Sequence, residues 1–263
     1  MKKLLMSFSL LIVFVLFGGS SQAALSGPGL GNDAVTSCTK DHIDVDLRYS
    51  GDKVYFFGTV PEKGAHVIVK LISTTKEPVK LSQKGKVGIF WMGVKQYKVT
   101  NMPLIYKIHS SGKLSEILTP ELATQLGIGY ESLKDNMQLE LIKGEGSKDT
   151  DLVFDGLLKV KEKENLYKIA EGRIQITQDK IFQHYFTFPP RAGEGDYKVL
   201  SYIVKDGKLL ATCSDRVMIR KVGLGKWLSQ TAEKNGILYG IMCVAVAASA
   251  GLCVGMIFKG GGH

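Results

Sequence analysis

Ser-x-x-Lys recurs four times, beginning at Ser37, Ser50, Ser73 and Ser110. In one class of acyl-transfer enzymes that spacing sets a lysine amine beside a nucleophilic hydroxyl. With 29 lysines among 263 residues about two such hits arise by chance, and the partner motifs that complete the machinery are missing. HExxH, GxSxG, a Walker loop and CxxC are absent as well. The histidines (His42, His66, His109, His184 and His263) stand singly, never at i, i+4. A metal site would have to assemble from several strands, with Met92 or Met102 as soft ligands, so each histidine reads first as a surface or hydrogen-bonded side chain. Asp44 and Asp46 share one strand face, without the longer ligand loop that calcium requires. Arg173, Arg191 and Arg216 are the cations that a small-anion site would draw on. No catalytic residue, cofactor-binding residue, cofactor or metal ligand is assigned, and the expectation is a protein without enzymatic activity.

Strands must position these residues. From residue 41 the chain alternates: Ile43, Val45, Leu47 and Tyr49 face one way, and His42, Asp44, Asp46 and Arg48 the other. Short apolar runs separated by turn signals continue to about residue 110 and resume with "GRIQIT". Asp206-Gly207 inside "VKDGKL" supplies a tight hairpin turn. Between these stretches, Thr119-Pro120-Glu121 starts a helix with a capping hydroxyl and Pro at N1. "YESLKDN" adds a further turn, and "DLVFDGLLKVKEKENLY" (151–167) reads as an amphipathic helix. The pattern predicts an immunoglobulin-like β-sandwich over 41–222, mainly β, with a helical insertion at about 115–165. Aromatics gather in "GIFWM" (88–92) and "FQHYFTF" (182–188). Strand aromatics belong first to the sheet core, and an exposed partner surface is the alternative.

Both ends are apolar. Lys2 and Lys3, the run Leu4–Phe17 and the small residues Ser21 and Ala23 have the form of a signal peptide (1–23), with cleavage after Ala23; an uncleaved anchor is the other reading. A Gly- and Ser-rich flexible leader (24–40) follows. Residues 236–258 run 23 positions without a charge, long enough to cross a bilayer, after a juxtamembrane stalk (223–235). Trp227 and Tyr239 suit the interface. Arg220, Lys221, Lys226 and Lys234 precede the span and only Lys259 follows it, which by charge alone would hold the domain inside. A signal peptide overrides that bias for a long domain, so the expected topology is a domain exported to the periplasm and a cytoplasmic tail (259–263). Within the span, Ala247, Gly251 and Gly255 form a small-residue stripe suited to helix packing.

The exported part carries 31 basic and 25 acidic groups, a net of +6; a solvated mixed-charge surface is the first reading, and contact with anionic lipid or solutes the alternative. Its lysines are interleaved with acids, which together with the compartment excludes nucleic acid. The expected partners are the lipid bilayer and another integral membrane protein. Cys38 and Cys213 could close one disulfide, though spacing alone does not pair them.

The blocks "KVGIFWM", "MPLIYKIHSSGKLSEI", "LGIG", "LYKIAEGRIQI", "HYFTFPPRAGEGDYKVLSYIVKDGKLLAT" and "IRKVGLGKWL", in that order before one C-terminal span, resemble the Alph_Pro_TM family of bacterial transmembrane proteins. The resemblance runs from about residue 40 to 258. It implies a Gram-negative inner-membrane protein with a periplasmic domain, serving as an accessory to a permease of the sulfite/organosulfonate-exporter type. It transfers no catalytic residue.

Overall fold

The computed structural model describes residues 34–46 and 48–259. The expected signal peptide, leader residues 24–33, Leu47 and tail residues 260–263 lie outside the described residues. Along the chain come β1 (Thr36–Cys38), β2 (His42–Val45), β3 (Asp52–Thr59), β4 (His66–Ser73), β5 (Val79–Val87), β6 (Phe90–Thr100) and β7 (Tyr106–Ser110). Short helices α1 (Leu114–Ile117), α2 (Pro120–Leu126) and α3 (Tyr130–Asn136) lead to β8 (Gln138–Lys143) and the longer α4 (Thr150–Lys163). There follow β9 (Tyr167–Ala170), β10 (Gln175–Thr177), β11 (Ile181–Phe188), β12 (Gly195–Lys205) and β13 (Lys208–Lys221), then α5 (Gly223–Lys234) and α6 (Gly236–Lys259).

The strands make three sheets, ordered β1-β3-β11-β10, β2-β13-β12-β4-β7-β9 and β5-β6-β8. β4 lies inside the largest, between β12 and β7, and is buried on both faces, which is why "HVIVKLI" is apolar nearly throughout. One face, carrying Val69 and its cross-strand partner His109, meets the inward aromatics of β11. The other face carries Lys70, whose Nζ donates to Leu126 O at the end of α2 (2.5 Å) and lies 5.5 Å from the Tyr202 ring. Tyr106 on that same face donates to Gly127 O (2.9 Å) and accepts from Gly129 N (3.0 Å). The helical segment thus covers the outer face of the six-stranded sheet, and the four-stranded sheet covers the inner one. Burial pushes the Lys70 amine down to about 8, and the α2 carbonyl end is the partner it meets there.

Local signals hold where they rest on turn chemistry. Thr119 Oγ1 accepts from Leu122 N (3.3 Å), Pro120 opens α2, and Gly127 at φ 61° ends it in the left-handed region. Asp206 and Gly207 both take positive φ (50° and 71°), as a two-residue hairpin requires. α4 buries Val153, Phe154 and Leu157, its apolar stripe.

Other expectations are corrected. The fold is mainly β with one C-terminal apolar helix, but its topology departs from an all-antiparallel immunoglobulin-like pair of sheets. β2 runs parallel to β13, β7 runs parallel to β9, and a third sheet stands beside the larger two. The region expected to be helical contains β8, an edge strand of that third sheet. The leader is not wholly irregular, because Thr36–Cys38 pairs with β3. "GIFWM" is no core strand: Val87 and Phe90 pair across a two-residue turn, and the motif forms the tip of the β5–β6 hairpin. "FQHYFTF" does enter the core, with Phe182, Phe186 and Phe188 fully buried. α6 holds a 21-residue stretch, Gly236–Met256, of mean hydropathy 2.2, none of it buried against the domain. That exposure distinguishes it from the core helix of a soluble protein.

Candidate anion-binding cleft

At the open edge where β9 and β10 flank β7 and β11, a cleft of about 420 Å³ is lined by Lys107, His109, Lys168, Arg173, His184 and the polar groups of Gln175, Thr177 and Gln183, among others. No lining residue is acidic. Strand alternation puts Lys107 and His109 on one face of β7. The parallel register Lys107↔Lys168 brings a second amine alongside the first. Arg173 leaves the end of β9 with its backbone N bonded to Ser110 O (2.9 Å), which fixes it beside the end of β7. His184 comes from the opposite sheet, in the inward series with Phe182 and Phe186.

The floor of the cleft is aromatic. His109 and His184 rings lie 4.7 Å apart, edge to face, and Phe186 sits 4.8 Å from the first and 4.5 Å from the second. His184 is only 4% exposed. Among the described residues, His109 Nδ1, His109 Nε2 and His184 Nε2 are closed to bulk water and have no hydrogen-bond partner in the protein. Unpartnered buried nitrogens are costly, and both rings lie in the wall of the cleft.

Charge organises the site from rim to floor. Lys168 and Arg173 are exposed, and neither meets a carboxylate among the described residues. Lys107 is buried, and its Nζ donates to Thr187 O across the sheet interface (2.7 Å). Burial first, and Lys168 second, push its amine down to about 8, so it is still protonated at neutral pH. Burial and then the charges of Lys107, Lys168 and Arg173 push His109 down to about 4. Burial, His109 and Arg173 push His184 to about 3. Both imidazoles are therefore neutral, each with one N–H to donate. Three cations and no carboxylate give the cleft a positive potential, which suits an oxyanion and repels a metal cation.

The three arginines expected from the sequence do not converge. Arg173 lies in the cleft, while Arg191 pairs with Glu164, and Arg216 pairs with Asp196 (2.6 Å). Carboxylates already engage the latter two, and neither lines the cleft. Asp44 likewise pairs with Arg220 (2.6 Å), and Asp46 accepts from Arg48 N (2.9 Å). Cys38 on β1 and Cys213 on β13 belong to different sheets, which Thr36 Oγ1 bridges by donating to Asp215 Oδ2 (2.6 Å); both thiols are free, and Cys213 Sγ donates to Ala34 O (3.3 Å). Ala247, Gly251 and Gly255 are on the exposed surface of α6. Ser73 and Ser110 are buried, and each hydroxyl donates to a backbone carbonyl, Thr75 O and Gly112 O.

Lys107, His109, Lys168 and His184 were not singled out from the sequence as a site. One signal for them exists. Tyr-Lys-Ile occurs at 106–108 and again at 167–169, and the two copies pair residue for residue in the β7–β9 ladder. Residues 34–260 match the family described as "Putative transmembrane protein (Alph_Pro_TM)". The chain belongs to that family. No curated protein and no solved structure matches it. An Alph_Pro_TM member with one exposed apolar helix at its C-terminus is a membrane protein, and its β-domain carries the cationic cleft.

Proposed function

We propose that this chain is a single-pass membrane protein whose β-domain binds a small oxyanion, of the sulfate, sulfite or phosphate type, in the cleft of Lys107, His109, Lys168, Arg173 and His184. One observation carries the reading: a cleft with three cations, no carboxylate and two neutral histidines whose buried nitrogens lack partners. The domain faces the periplasm and works without catalysing a reaction. It captures its anion beside a membrane permease of the sulfite/organosulfonate-exporter type, the accessory role that the family resemblance implies. The anchoring helix and the oxyanion chemistry of the cleft support this placement.

Calorimetric titration of the detergent-solubilised full chain with sulfate, sulfite and phosphate tests the reading. Arg173→Ala should weaken binding about tenfold, the value of one charge-assisted hydrogen bond. Arg191→Ala and Arg216→Ala should leave it unchanged. Absence of binding to all three anions at millimolar concentration, or equal losses at the three arginines, refutes it. Co-purification from native membranes in mild detergent tests the permease role separately, and recovery of no integral membrane partner removes that part alone.

A further inference from the structure

We propose that the tip of the β5–β6 hairpin is a second membrane-contact point, inserting into an anionic lipid leaflet while α6 holds the chain in the same bilayer. The base of the hairpin is anchored in the core, with Tyr97 and Val99 fully buried and β8 paired from Gln96 onward. Beyond a bulge at Gln83/Lys84 the hairpin continues as a two-stranded ribbon that β8 does not reach. At its end Ile89 is 83% exposed, Phe90 64%, Trp91 72% and Met92 49%. Gly88 opens the turn at φ 64°, and a Cβ built there would meet nothing within 4 Å. Four large apolar side chains at one projecting turn are far more than a solvated hairpin needs.

Three observations choose lipid as the occupant. First, cross-strand partners share a face, so Trp91 stands with Lys86 on one side, while Phe90 and Met92 stand on the other. Both faces are apolar at the tip; a protein groove covers one face, whereas a bilayer surrounds both. Second, residues 79–100 contain five lysines and no acid, and among the described residues only Lys98 of these has a carboxylate partner, Glu140. Lys84 and Lys86 sit just behind the apolar turn, where headgroup phosphates would lie, and can extend their amines to them. Third, reach is adequate. β13 runs directly into α5, whose 12 residues rise about 18 Å before α6 begins, and the part of β6 that β8 does not reach, Phe90–Lys95, spans a comparable length of about 20 Å. Trp at the turn has the amphipathic ring that favours the interface.

The test uses the full chain in lipid nanodiscs. Trp227→Phe leaves Trp91 as the sole tryptophan. In phosphatidylglycerol nanodiscs, Trp91 emission should shift to the blue and be quenched by brominated acyl chains. Each Lys→Gln change at Lys84 or Lys86 should lower the inserted-to-free ratio about fivefold, and pure phosphatidylcholine should do the same or more. Both lysines are exposed, and an unchanged far-UV spectrum confirms that the variants fold. Emission at the solvent-exposed wavelength without quenching overturns the proposal. So does a blue shift in the nanodiscs without quenching by brominated chains, which would assign the tip to a protein surface.

Discussion

Acid should unfold this domain earlier than its carboxylates alone would, because the two histidines on the cleft floor cannot take up protons while it is folded. The unfolded chain binds protons at the ordinary histidine value of 6.5, whereas the folded chain refuses them until about 4 at His109 and about 3 at His184. Below 6.5 the unfolded state therefore holds more protons, and stability falls with pH. The stability is fully present above about pH 7 and drains away through 6.5. From 6.5 to 5 is one and a half pH units, so a buried imidazole costs roughly 2 kcal/mol over that window at about 1.4 kcal/mol per unit. His184 should contribute close to that figure, being almost wholly buried. His109 is less enclosed and contributes less, giving about 3 kcal/mol for the pair. Carboxylates such as Asp44, held below their usual range by the Arg220 hydrogen bond, titrate beneath this window. Urea unfolding of the solubilised chain, followed by circular dichroism in buffers free of sulfate and phosphate, measures the loss directly. His184→Phe places a phenyl ring among Phe56, Phe182 and Phe186 and should remove more than half of the pH dependence. A wild-type stability flat from pH 7 to 5, or an unchanged slope in the variant, refutes the reasoning.

Two further outcomes follow from the same geometry. Affinity for sulfate, which stays a dianion throughout, should hold steady from pH 5 to 7, where both imidazoles stay neutral, and fall by up to about tenfold between 7 and 9 as Lys107 loses its proton near 8. Equal dissociation constants at pH 7 and 9 would remove Lys107 from the site. Gly58→Ala should destabilise the domain by about 1–3 kcal/mol in thermal or urea unfolding, because the added methyl would overlap the Phe182 ring and crowd Thr36; unaltered stability would show that the two outer strands can separate without cost.

Much of the fold follows from near-neighbour rules that a sequence exposes. Thr119-Pro120 starts α2 and Asp206-Gly207 closes the β12–β13 hairpin because a cap and a turn need only residues within a few positions. The inward aromatics of β11 follow from alternation, which also places His184 in a buried series between Phe182 and Phe186. What alternation cannot supply is the element across the interface. Nothing near His184 indicates that the His109 ring lies 4.7 Å away on another sheet, so two histidines that looked solitary form one floor. The arginines misled for a related reason: a cation's role depends on which carboxylate reaches it, and Glu164 and Asp196 reach Arg191 and Arg216 through tertiary pairing.

"GIFWM" fails in the opposite direction. Its composition suits a buried strand, and only the end of β8 at Lys143 shows that no third strand covers it. Burying that turn inside the domain would have needed a longer β8 or a helix laid across the ribbon, and the chain uses its helices on the outer face of the six-stranded sheet instead. Four exposed apolar residues are then retained against a solubility cost that a wholly aqueous domain would not bear. In a chain already anchored by α6 that cost vanishes wherever the turn meets the bilayer, and lysines without nearby acids are what an anionic leaflet selects.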